Sequence, residues 1–164
     1  MQQKTITLYE YSELSAEAKE KARAEWNELN DDPMMQSHMI NVLKEKLEER
    51  GIKYDTDSID VQYSLGYSQG DGFMFEGIIT WRGKEIAIKH DSAHYYHSKT
   101  ASFDYEGLTD AEFGQFEVVY EAVCKEMERI GYDEIEYQRS EESFKQACEA
   151  NEWTFRENGT LETI

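Results

Sequence analysis

The chain has 164 residues, 39% hydrophobic and 13% aromatic, with 35 acidic against 17 basic side chains and a net charge of −18. That length supplies one full hydrophobic core and is short for two, so a single domain is expected. Eleven tyrosines, seven phenylalanines and three tryptophans exclude the composition of a disordered chain. No apolar run reaches the ~18 residues of a membrane span, and the acidity disfavours nucleic acid and membrane phosphates as partners.

The first element in chain order is a short β-type run, Thr5-Ile6-Thr7-Leu8-Tyr9, read as an edge strand. Its flank, MQQKTITLYEY, lacks the charged-then-apolar pattern of a signal peptide, and a cytoplasmic protein is expected. Ala18, Ala22 and Trp26 recur at helical spacing, extended by Leu14 and Leu29, and predict a helix over 15–30. Asn30-Asp31-Asp32-Pro33 stops it and starts a second helix. Met35, Met39, Val42, Leu43 and Leu47 form the apolar face of that second helix, and Gly51 is its expected terminator. The pair reads as a helical hairpin.

After Gly51 the period changes to two. Ile59, Val61, Tyr63, Leu65 and Tyr67 alternate with polar or small residues as a half-buried strand. Ser68-Gln69-Gly70-Asp71-Gly72 is hairpin chemistry, because glycine accepts the positive φ of tight turns. Strands over 73–81, 85–89 and 94–105 follow, the last carrying Tyr96, Ser98, Thr100, Ser102 and Asp104 on one parity. Thr109 caps a long helix whose apolar face is Phe113, Phe116, Val119, Tyr120, Val123, Met127 and Ile130. A last helix over 140–151 precedes a closing hairpin turned at Glu157-Asn158-Gly159 and expected at the sheet edge. The fold class is α+β: an antiparallel four-stranded meander over about 58–105, packed by an N-terminal helical hairpin and a long C-terminal helix.

Chemistry has two candidate seats. In the first hairpin, Ser68, Gln69 and Asp71 form a candidate ligand-binding set, with Tyr96 added from the later strand. The alternative is that Asp71 only closes the turn. In His90-Asp91-Ser92-Ala93-His94-Tyr95-Tyr96-His97, His90, His94 and His97 are candidate metal ligands, with Asp71, Asp91 or Asp104 as the carboxylate. Against this, His94 and His97 have opposite strand parity and no HExxH or CxxC accompanies them, so no cofactor is expected. Asp71, His94 and His97, with Gln69, are the catalytic candidates if the two stretches meet. Cys124 sits among Val119 and Val123 and reads as core; Cys124 and Cys148 are read as free thiols, one disulfide being the alternative. No GxSxG, P-loop or dinucleotide fingerprint is present.

Residues 1–101 hold 18 acids and 12 bases, whereas residues 102–164 hold 17 and 5, so most of the excess falls in the last 63 residues. This field favours a basic partner, with solubility alone as the alternative.

Four stretches together carry a resemblance: Tyr67-Ser68-Gln69-Gly70-Asp71-Gly72-Phe73-Met74-Phe75-Glu76-Gly77, the helix beginning Glu13-Leu14-Ser15-Ala16-Glu17-Ala18-Lys19, His94-Tyr95-Tyr96-His97, and Ala150-Asn151-Glu152-Trp153-Thr154-Phe155-Arg156-Glu157-Asn158-Gly159. Spanning most of the chain and taken in chain order, these stretches make it resemble the small SQGDG-motif proteins of tailed bacteriophages and prophages, some of them labelled antitoxin-like. The resemblance implies origin and context and carries over no catalytic residue. The expected function is therefore a non-catalytic acidic accessory protein that binds a basic surface on a bacterial host protein, as an anti-defence factor or DNA mimic. The alternatives are a small metal- or ligand-dependent enzyme at the SQGDG and HYYH stretches, and an antitoxin-like regulator.

Overall fold

The computed structural model describes residues 2–29, 35–67, 69–91 and 96–162. In chain order its elements are helices α1 (Ala16–Leu29) and α2 (Met35–Glu49), strands β1 (Lys53–Tyr54), β2 (Asp60–Ser64), β3 (Gly72–Trp81), β4 (Lys84–His90) and β5 (Ala101–Tyr105), helices α3 (Asp110–Gln138) and α4 (Glu141–Ala150), and strands β6 (Thr154–Phe155) and β7 (Leu161–Glu162). The fold is α+β with the antiparallel meander expected. The chain divides into two compact units, residues 33–133 and residues 1–32 with 134–164. The larger holds 19 acids and 10 bases and the smaller 16 and 7, a net charge of −9 each.

The larger unit is built around β3. Its first half pairs with β2, from Ser64↔Gly72 to Asp60↔Glu76, and its second half with β4, from Gly77↔Ile88 to Trp81↔Lys84. Strand β5 pairs with β4 from Ile86↔Tyr105 to His90↔Ala101. Strand β1, which sequence periodicity does not mark, adds two residues at Ile79 and Thr80. Alternation along β3 buries Phe73, Phe75, Ile79 and Trp81, each a gain of about 1.5–3 kcal/mol. From α3, Tyr120 stacks on Phe75 with ring centroids 4.7 Å apart, and Phe116 meets Trp81 at 5.5 Å. Strand β4 pairs only with residues 77–81 of β3. The backbone of Phe75 is met instead by the buried Tyr120 hydroxyl, which accepts from its N–H at 3.2 Å and donates to its carbonyl at 2.9 Å.

Helix α2 buries Met39, Leu43 and Leu47 completely and ends as expected at Gly51. Gly51 (φ 70°) donates to the Glu48 carbonyl at 3.0 Å and Ile52 to the Leu47 carbonyl at 2.9 Å, the paired bonds of a Schellman terminus. Thr109 and Glu112 cap α3 reciprocally: each side-chain oxygen accepts from the other's backbone N–H. Those bonds hold the Glu112 carboxyl below the usual range.

The smaller unit has its own core of Tyr11, Leu14, Ala18, Ala22, Phe144, Cys148 and Phe155, with Trp26 and Trp153 packed against it. Helix α4 starts at Ser140, whose hydroxyl accepts from the Ser143 N–H at 3.2 Å. The closing hairpin β6–β7 is pinned by Arg156 on Glu162 at 2.7 Å.

Four expectations change. The closing hairpin is a separate two-stranded sheet in the smaller unit rather than an edge of the meander. The strand expected over 5–9 reduces to one bridge, Tyr9↔Phe155, because a two-residue partner offers little to pair with. The strand expected through Tyr67 stops at Ser64, and Tyr67 turns back with φ 56°. Strand β5 begins at Ala101 rather than residue 94, after a 3-10 turn over Ser98–Thr100. Alternation alone cannot distinguish a capped turn from a strand. The helix stop at residues 30–33 lies outside the described residues. Among the described residues no helix is long and apolar enough to cross a membrane.

Candidate functional site

The two stretches flagged by sequence do meet, and the meeting runs through a glycine. A Cβ built on Gly72 would stand 2.5 Å from the His97 Cβ and 2.8 Å from the Tyr96 carbonyl oxygen, so the backbone of 96–97 lies directly on β3. Only a residue without a side chain permits that approach. It covers the face opposite Phe73 and Phe75, and Met74, two residues on from Gly72 and on the same face, is buried.

What the contact brings together is framework. Asp71 Oδ1 accepts from the Ser64 hydroxyl at 3.2 Å, closing the hairpin onto the end of β2. Asp71 Oδ2 accepts from the Tyr132 hydroxyl of α3, and this carboxylate pushes the phenol up to about 12. Both carboxylate oxygens are therefore engaged in tying hairpin to helix. The Tyr67 ring lies over Tyr132 with centroids 4.7 Å apart, which fixes the loop on the same helix. Gln69 is exposed.

His97 caps the turn it begins. Its Nδ1 accepts from the Lys99 N–H at 3.2 Å, while its N–H donates to the Thr100 hydroxyl at 3.2 Å. The Thr100 hydroxyl donates in return to the His97 carbonyl at 2.8 Å. His90 packs its ring on Tyr96 at 4.9 Å and donates its backbone N–H to Glu76, which also accepts from Gln62. Ser68 and His94 lie outside the described residues. Among the described residues no three His, Cys, Asp or Glu side chains come close enough to hold a metal ion. The donor set of His90, His97 and a carboxylate thus does not assemble there, although both histidines lie near one strand end.

Beside His97, the 97–103 segment and α3 bound two adjoining depressions of about 210 and 270 Å³. His97, Lys99 and Phe103 form one wall, and Tyr120, Glu121 and Cys124 belong to the other. Asp71 is on neither wall, since its side chain turns to Ser64 and Tyr132. Cys124 is buried, as its apolar neighbours predicted, and burial pushes its thiol up to about 12; Tyr120 is raised by the same cause. A protonated thiol there is no nucleophile at neutral pH. Neither cysteine is in a disulfide.

The smaller unit contains a feature that sequence motifs do not mark. A cleft of about 540 Å³ opens between the turn at Tyr11 and the end of α4, with Glu10, Tyr11, Lys145, Glu149, Glu152 and Trp153 among its walls. Cys148 lines it at 5% exposure, its thiol pushed up to about 11 by burial. Tyr11 donates to Glu141 at 3.0 Å, and burial together with that carboxylate pushes its phenol up to about 12. The one sequence signal for this cleft is a helix that ends without glycine, over Cys148-Glu149-Ala150-Asn151-Glu152-Trp153.

Comparison with family models, with curated proteins and with solved structures finds no match for the chain.

Proposed function

We propose that the protein acts by binding rather than by catalysis: an acidic accessory protein of a tailed bacteriophage or prophage that docks on a basic surface of a bacterial host protein in the host cytoplasm. The observation that carries this reading is the engagement of Asp71, whose two carboxylate oxygens are taken by Ser64 and Tyr132. A general acid, base or metal ligand needs an oxygen turned to the reacting group, and both oxygens of the hairpin's half-buried carboxylate are turned to Ser64 and Tyr132. The equal excess of negative charge on the two units supports a partner of opposite sign, attracted over roughly a Debye length, about 10 Å at 0.1 M salt.

The test is retention of bacterial proteins on the immobilised chain. Basic proteins retained at low salt, released as salt rises and retained equally by Asp71→Asn are expected. Retention of nothing, or of proteins without a basic surface, sinks the reading. Loss of retention on Asp71→Asn with the fold intact would return the hairpin to the centre of function.

A further inference from the structure

We propose that the cleft at the C-terminal end of α4 seats a guanidinium or ammonium side chain, an arginine or lysine presented by the basic partner. This rests on the binding reading above and names where the smaller unit makes its contact.

Three independent features of the cleft ask for a cation. The first is the helix end itself. The C-terminus of a helix carries partial negative charge from its last carbonyls and is normally matched by basic residues. Helix α4 has none in its last turn; it has Glu149 there, and Glu152 just beyond. Glu10 faces the same space from the opposite wall. Lys145 is the one cation among the described lining residues, and its Nζ lies 4.0 Å from Glu141. With three glutamates and one lysine in its lining, the cleft presents an anionic ligand with a net negative wall and a helix end of its own sign.

The second is the backbone of Glu152. Trp153 donates to the Cys148 carbonyl at 3.0 Å and Glu152 to the Glu149 carbonyl at 3.3 Å, the same bond pair that ends α2 at Gly51. Glu152 holds the left-handed position of that motif at φ 53°, where glycine is the unstrained choice. The chain thus keeps a carboxylate at the cleft in a conformation that disfavours it.

The third is the wall chemistry. Trp153 and Tyr11 line the cleft, and aromatic faces attract cations, indole most strongly. The Tyr11 ring is itself buried against Phe144 and Phe155, with the Lys19 ammonium 5.6 Å from its centroid, so the half-buried indole of Trp153 is the aromatic wall open to a ligand. Aromatic walls accommodate the aliphatic stem of arginine or lysine, and the carboxylates meet its head. The volume lies within the range of small-ligand sites.

The experiment follows the tryptophan indole N–H signals of the full chain by NMR during titration. The probes are acetyl-arginine amide, a pentapeptide of arginine and alanine, and an all-alanine pentapeptide. A saturating shift of the Trp153 signal with both arginine probes, tighter for the pentapeptide, and none with the alanine peptide is expected. Glu149→Gln and Glu152→Gly should each weaken the arginine pentapeptide about fivefold, the scale of one exposed charge contact. Because Glu152→Gly relieves the backbone, its melting temperature should not fall, which separates lost binding from lost fold. An unmoved Trp153 signal, equal response to the alanine peptide, or parental affinity in both variants overturns the proposal. Host proteins retained equally by parent and both variants would leave the binding reading standing and remove this cleft from it. Saturating binding at Trp153 with no basic protein retained would keep the cleft as a cation seat and remove the binding reading.

Discussion

The hairpin around Asp71 and the cleft around Glu152 are two ways for a polar residue to sit at the end of a secondary-structure element. At the hairpin's Asp71 and Gly72 the local preferences are met: glycine lies where backbone must approach, and the aspartate closes its turn and ties it to a helix, the exception being Tyr67 just before them, left-handed at φ 56°. At the cleft local preferences are broken, with a glutamate in a glycine's conformation and carboxylates at the negative end of a helix. Helix α2 supplies the control, ending in the same bond pattern with Gly51 and lining none of the cavities described. Residues that agree with their surroundings build the fold, and those that disagree point to function. The eye-catching motif is the first kind, and the unremarked helix end is the second.

Four substitutions press on this contrast. The largest effect belongs to Gly72→Ala, whose methyl group would meet the Tyr96 carbonyl oxygen at 2.8 Å, a backbone atom unable to swing aside. A loss of about 2–3 kcal/mol in urea unfolding is expected. A neutral result would mean that 96–97 does not lie on β3.

Next is Asp71→Asn, which removes the charge that Tyr132 donates to and should cost about 1 kcal/mol at neutral pH, measured the same way. The same pair sets a pH dependence. The Tyr132 pKa is about 12 in the folded chain against 10.0 ordinarily, so the folded state favours the neutral phenol. Its contribution is whole below pH 10 and is lost as pH rises toward 12. Stability followed over that window should fall less steeply in Asp71→Asn than in the parent; equal slopes would break the link.

The smallest effect has the opposite sign. Glu152→Gly should stabilise the chain by about 1 kcal/mol by freeing a left-handed residue, whereas Gly51→Ala should destabilise it by a similar amount. If thermal unfolding shows both changes destabilising, Glu152 makes a stabilising contact that outweighs its backbone, and the contrast between the two helix ends fails.

Much of the framework was legible in the residues. Periodicity located α1, α2, α3, α4 and the order β2–β3–β4–β5, because apolar spacing reports directly which face is buried. Gly51, Thr109 and Ser140 marked helix ends by local chemistry that needs no tertiary contact. Less legible were features set by distant partners. Nothing near Asp71 announces Tyr132, which lies 61 residues away, and nothing near Phe75 announces the Tyr120 hydroxyl. The division into two units escaped composition, since both carry the same net charge. The cleft escaped motif reading because its signal is a glycine that is missing, and a missing residue has no pattern to match.

The Tyr120 hydroxyl on Phe75 has a consequence for how the larger unit opens. Where neighbouring amides of a sheet are shielded by whole strands, the amide of Phe75 is shielded by a single oxygen carried on a helix. Exchange of that amide with solvent therefore reports separation of α3 from the sheet rather than fraying of a strand. The first half of β3, with β2, is thus latched to α3 by two phenols, Tyr120 at Phe75 and Tyr132 at Asp71, and should open with that helix as one cooperative piece.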